Sequence, residues 1–153
     1  MKKYLVLVLA AATFLISCTP TFNNKAQSKM KGDWTISDVE YKGAKGIKVT
    51  AFDDADAKCF VGSKWFFLAN NYTGKYTLLG SDKCPSGTTN ITWFVSPENN
   101  FQFKKVFTGE KAKKILEGYE LKLENQTETA FDLVDESSVD GKRVQIVYHF
   151  VKD

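Results

Sequence analysis

Apolar and polar residues alternate with a period of two along most of the chain beyond residue 30. Phe101-Gln102-Phe103-Lys104, Tyr119-Glu120-Leu121-Lys122-Leu123-Glu124 and Arg143-Val144-Gln145-Ile146 all read this way, which is the signature of strands with one buried face. Lys64-Trp65-Phe66-Phe67-Leu68 and Ile91-Thr92-Trp93-Phe94-Val95 add β-branched and aromatic runs. Turn residues punctuate them at Asn70-Asn71-Tyr72-Thr73-Gly74, Pro85-Ser86-Gly87, Pro97-Glu98-Asn99-Asn100 and Asp140-Gly141. The pattern predicts strands over 33–41, 46–52, 64–70, 74–79, 89–96, 100–107, 117–124, 127–134 and 143–151. Eight or nine strands with short connections predict an all-β, antiparallel up-and-down barrel or a sandwich. Helical composition is confined to a capped turn at Asp53–Ala57 and to Glu110–Leu116.

The N-terminus follows a different pattern. Lys2 and Lys3 precede Leu5–Ile16, twelve residues without a charge. A helix of that length spans about 18 Å, short of the ~30 Å hydrocarbon core, so residues 1–17 read as a secretory signal. The segment ends Leu15-Ile16-Ser17-Cys18, which resembles a bacterial lipobox. That resemblance implies cleavage before Cys18 and acylation there, anchoring the protein to a membrane. Residues 18–30, rich in Thr, Pro, Asn, Gln, Ser and Lys, read as the lipidated end and a flexible tether. The folded domain is expected over 31–153.

Charge and composition narrow the function. Without Lys2 and Lys3 the chain carries 19 basic and 18 acidic residues, a balance that gives no case for nucleic acid. One His and three Cys exclude most metal and nucleophile constellations. No cofactor motif is present, and the expectation is a protein that is not an enzyme. His149 alternates onto the wet face of the last strand. Asp53-Asp54-Ala55-Asp56 departs from a calcium loop at Lys58 and Cys59 and reads as a solvated acidic turn.

Gly32-Asp33-Trp34, at the start of the first strand, resembles the G-x-W motif of lipocalins. Cys59 to Trp65, Gly74-Lys75-Tyr76-Thr77, Ile91-Thr92-Trp93, Phe101–Lys104 and Tyr119–Leu121 follow in order. Together they are similar to the lipocalin-like lipoproteins of Gram-negative bacteria. The resemblance implies a barrel whose base is closed by Gly32 and Trp34, and an envelope location, with the outer membrane favoured by Thr19. The Thr-Asp-Tyr motif is missing, and the only Arg, Arg143, falls at the barrel end opposite Trp34 rather than beside it.

The interior is where a ligand would sit. Trp65, Phe67, Tyr76, Trp93, Phe101, Phe103, Tyr119 and Tyr148 share inward faces, and they either fill the lumen or line a small apolar pocket with Tyr hydroxyls and Trp indoles for orientation. Lys105 joins Phe101 and Phe103 on strict alternation. An inward ammonium needs an anion such as a ligand carboxylate; a bulge or a rim position would instead turn it to solvent. Cys59 and Cys84 flank the 64–79 hairpin at one end, so in an oxidising compartment they are expected to form a disulfide. Two functions follow: an anchored carrier of a small hydrophobic molecule, or a filled barrel acting as a structural module that contacts another envelope protein.

Overall fold

The computed structural model describes residues 21–43 and 46–153. The signal segment and Cys18 lie outside the described residues. The strands are β1 (Gly32–Lys42), β2 (Thr50–Ala51), β3 (Ala55–Asp56), β4 (Lys64–Leu68), β5 (Thr73–Ser81), β6 (Cys84–Val95), β7 (Asn100–Val106), β8 (Tyr119–Glu124), β9 (Ala130–Val139) and β10 (Lys142–Lys152). Eight of them close an antiparallel up-and-down barrel in the order β1-β10-β9-β8-β7-β6-β5-β4. β1 closes it, pairing with β4 at Trp34↔Trp65 and with β10 at Trp34↔Lys152. Closure leaves the barrel no edge strand, although β8 and β9 pair only from Lys122↔Val134 to Glu124↔Asp132, and the alternation puts one side chain in two into the lumen.

The small helix α1 (Asn24–Met30) differs from the tether expected over 18–30. Its composition is polar, but Ala26, Gln27 and Met30 fall on one side and are buried. Seven residues do not hold a helix alone; tertiary bonds do. The Asn23 side chain accepts from Ala26 N, and Gln27 Oε1 accepts from Val95 N at 2.8 Å. Gln126 Nε2 donates to Ala26 O at 2.9 Å. The ordered unit therefore begins ahead of Lys31, and α1 plugs one end of the barrel.

Trp34 sits above that plug, fully buried. Its indole Nε1 donates to Met30 O at 2.7 Å, its ring meets Phe131 edge-on at 4.6 Å, and Lys152 Nζ stands 5.4 Å from its centroid. Gly32 has φ +111°, a conformation natural to glycine. Arg143 pairs with Ser138 at the opposite end, so the cation over the base tryptophan is a lysine.

Two connections differ from expectation. The β5–β6 hairpin extends to Asp82-Lys83, past the turn expected at Pro85-Ser86-Gly87. Pro85 lacks the N–H that a ladder needs, but the register is interrupted opposite it, at Gly80 with φ +77°. The strand expected over 46–52 is reduced to β2, paired only with β3. The rest of that segment leaves the wall and crosses the barrel mouth.

Candidate functional site

The lumen is packed from base to mouth by aromatic rings. In the lower half Phe67 meets Trp93 at 4.9 Å and Phe101 at 5.7 Å, and Phe131 stacks on Phe150 at 4.5 Å. In the upper half Trp65 stacks on Tyr76 at 4.7 Å, and Phe103 lies 5.0 Å from Tyr119. The structure thus separates the expected pocket residues into two groups. Phe67, Trp93 and Phe101 complete the base. Trp65, Tyr76, Phe103, Lys105, Tyr119 and Tyr148 surround the mouth.

A cap formed by residues 46–62 covers that mouth. The β2–β3 hairpin turns through Phe52 and Asp53, at φ +53° and +48°. Gly, Asn and Asp fill such turns readily; a bulky aromatic at positive φ is strained by roughly 1–3 kcal/mol. The ring repays this by burial, at 6% exposure, against Phe60, Phe103, Tyr119 and Tyr148, with centroids 5.0–5.4 Å away. Phe60, at the end of the 3-10 turn Ala57–Phe60, fills the remaining space.

Hydrogen bonds latch the cap. Tyr76 OH donates to Asp54 Oδ2 at 2.6 Å. Tyr119 OH lies 2.9 Å from Phe52 O and 3.0 Å from Asp53 Oδ2, and its single proton serves one or the other. Burial, followed by the aspartate acceptors, pushes both phenols well above the ordinary tyrosine range. Lys105 Nζ donates to Phe52 O at 2.7 Å. Lys105 opposes the buried Ile91 across the ladder, so it stands on the inner face at the rim, and its partner is a cap carbonyl. Asp53 and Asp54 are exposed, as expected of a solvated acidic turn, and in addition they accept from the Tyr119 and Tyr76 hydroxyls and so latch the cap.

Cys59 and Cys84 form a disulfide with Cα atoms 5.4 Å apart. It ties the end of the cap to the start of β6, as the hairpin offset required.

The polar handles expected of the lumen are mostly engaged. Trp65 Nε1 donates to Ser63 Oγ, and Trp93 Nε1 to Thr73 O. Two hydroxyls differ: Tyr148 OH and Tyr41 OH are buried without a hydrogen-bond partner. Burial first, then the nearby Asp135 carboxylate, pushes the Tyr148 phenol far up. Asp135 opposes the buried Ile146 and so stands on the inner face of β9, where burial raises its carboxyl. Phe52 carried no signal in the sequence as a site residue, Asp53 and Asp54 stood out only as an acidic turn, and Asp135 was not singled out. Only the alternation of Phe131, Leu133 and Asp135 could have singled out the last.

His149 is on the outer wall. Its Nδ1 lies 2.7 Å from Asp132 Oδ1, and its Nε2 lies 3.7 Å from Glu40. Among the described residues no three His, Cys, Asp or Glu side chains converge to hold a metal ion.

By sequence, the chain matches no protein-family model and no curated protein. Among solved structures it is similar to a complex of bovine odorant binding protein with a selenium-containing odorant. The two share 11% identity over 83% of this chain and 72% of that one, with a TM-score of 0.45.

Proposed function

We propose that the protein binds a small hydrophobic molecule at the barrel mouth, in the place that Phe52 occupies in the closed form, and does so from a lipid anchor at Cys18 in the cell envelope. The observation that carries this reading is Phe52 itself. A cap residue in a strained backbone conformation inserts its ring among four others, as a ligand would. Strain kept in a loop over a pocket is a feature of ligand clamps and switches. Opening costs the burial of one Phe, about 1.5–3 kcal/mol, and a ligand that restores the same contacts recovers it. The function is binding, with no reaction assigned.

The test is fluorescence titration with the neutral apolar probe N-phenyl-1-naphthylamine. Phe52→Ala removes the self-occupant, so it should bind at least about tenfold tighter than the native chain, given that burial energy. Absence of binding by both chains, or equal affinity, overturns the reading.

One observation favours a second reading. The lower lumen is solidly filled, while the 107–117 loop exposes Phe107 and almost all of Leu116. A filled barrel that contacts another envelope protein through this outer loop would need no cap opening. It predicts no probe at the mouth and loss of partner capture in Leu116→Asp.

A further inference from the structure

The outer wall of β4 to β7 is apolar where the opposite wall is polar. Phe66, Leu68 and Phe94 alternate with the buried Trp65, Phe67, Trp93 and Val95, so they point outward, and they are half-buried. On β10 and β1, farthest from β6 and β7 around the barrel, Asp38, Glu40, Gln145 and His149 stand outside instead. The 107–117 loop folds back over the apolar wall. Lys104 Nζ donates to Ile115 O at 2.8 Å, and Ala112 borders a groove of about 330 Å³ that Thr92 and Phe94 also line. The loop leaves Phe107 57% and Leu116 93% exposed. It exposes Lys111, Lys113 and Lys114 against Glu110 and Glu117, and the wall adds Lys75 and Lys104 against Glu120.

The N-terminal segment arrives on this same wall. The Phe22 ring packs 5.1 Å from Tyr72 and 5.3 Å from Phe94, and Asn23 N donates to Val95 O at 2.8 Å. Cys18 lies outside the described residues, four positions before Phe22, and four residues reach at most about 14 Å. An acyl anchor at Cys18 therefore holds the base end of the β4–β7 wall close to lipid. At the other end, Phe107 lies five residues beyond Gln102, which pairs with Phe94, or roughly 17 Å along β7. The short link and the exposed loop thus mark the two ends of one face.

We propose that this face docks on an anionic bilayer, with Phe107 and Leu116 entering the headgroup region and Lys111, Lys113 and Lys114 meeting lipid phosphates. This rests on the anchor proposed above and adds the orientation in which it holds the barrel. Large apolar side chains set among lysines partition into a membrane interface. Lysine stems lie along the apolar surface while their ammonium groups reach the anionic headgroups. Two apolar side chains and a short basic run bind weakly by themselves, so the contact orients the protein and the acyl group retains it. The loop joins Lys105 to Tyr119 at the rim of the mouth. Docked in this way, the mouth opens along the lipid surface, where a hydrophobic ligand enters and leaves.

Fluorescence quenching tests this on protein extracted from its host membrane and placed in vesicles of equimolar phosphatidylcholine and phosphatidylglycerol. A nitrobenzoxadiazole label is attached at Leu116→Cys, or at Glu40→Cys on the opposite wall, and quenched by nitroxide-labelled lipid. The label at position 116 should be quenched and the label at position 40 should not. Replacing the phosphatidylglycerol by phosphatidylcholine, or Lys111, Lys113 and Lys114 by Gln, should reduce the quenching at position 116 by at least about half. Both substitution sites are exposed, so neither variant disturbs the core. Equal quenching at the two positions, or quenching at position 116 that ignores both the lipid charge and the lysines, overturns the docking face and leaves the anchor intact. A label at position 116 that is unquenched in vesicles but cross-links to a protein in the native envelope assigns the loop to a protein partner and also overturns it. Intact mass separates the two readings. A chain without an acyl group loses the anchor, and the docking face then stands only if added anionic vesicles still quench position 116 over position 40.

Discussion

Trp34→Ala probes the closure of the barrel base. The indole is fully buried, packs on Phe131 at 4.6 Å and holds Met30 O by a 2.7 Å hydrogen bond. Truncating a buried Trp costs about 3–5 kcal/mol, with the Met30 carbonyl left unpaired included at the upper end. Unfolding entropy near 60 °C is about 2.1 cal/mol/K per residue, so roughly 130 ordered residues give ~0.27 kcal/mol/K. A loss of about 4 kcal/mol therefore lowers Tm by about 15 °C. The helix α1 should also detach, because Met30 and Trp34 brace each other across the base. Differential scanning calorimetry reads the first effect, and amide exchange of residues 24–30 the second. Trp34→Phe separates the contributions: it retains a ring against Phe131 and loses the hydrogen bond, so its Tm should fall by less than half as much. An unchanged Tm in Trp34→Ala, or a helix α1 that keeps its protection, would refute the account of the base.

Three further outcomes are expected. Reduction, or Cys59→Ser with Cys84→Ser, opens a loop of sequence separation 25; the chain-entropy relation gives about 3.5 kcal/mol, so Tm should drop by about 13 °C, whereas two free thiols in exported, unreduced protein would contradict the bridge. Tyr76 and Tyr148 are protonated and buried in the fold, and burial holds both phenols well above the ordinary tyrosine range. The unfolded chain therefore releases their protons above about pH 10 while the folded one keeps them; stability is full below that and falls as pH rises, by up to about 2.7 kcal/mol per pH unit, which urea unfolding between pH 8 and 11 measures, and a flat profile would exclude the buried phenols. Finally, Cys18→Ser should move the protein from the membrane pellet to the soluble periplasmic fraction, because acyl burial is the anchor proposed; a variant that still pellets contradicts it.

The barrel was legible because its information is local. Phe101 and Phe103, Tyr119 and Leu121, and Tyr148 and Phe150 alternate within single strands, and the lumen they face follows from the period alone. The disulfide was legible from the equal offsets of Cys59 and Cys84 about one hairpin. The cap was not. Phe52 reads as the end of a strand, and nothing nearby says that its ring meets Phe103 and Tyr148. Asp53 and Asp54 are solvated as their sequence suggests, but nothing near them shows that the hydroxyls of Tyr119 and Tyr76, 66 and 22 residues away, reach them. The helix α1 was hidden for the opposite reason: its composition is that of a tether, and only Gln27, Met30 and their barrel contacts order it. Charge misled in the same manner at Lys105, whose partner is a backbone carbonyl that no pattern of side chains reveals.

A ligand bound at the mouth is expected to replace the Phe52 ring under the cap. Solution NMR of the native chain with N-phenyl-1-naphthylamine tests it directly. Nuclear Overhauser contacts are expected from the probe to the rings of Phe103, Tyr119 and Tyr148, together with Phe52 ring resonances moved to solvent-exposed positions. Contacts confined to outer-wall residues such as Phe107 and Leu116, with the Phe52 ring still in contact with Tyr148, would contradict it.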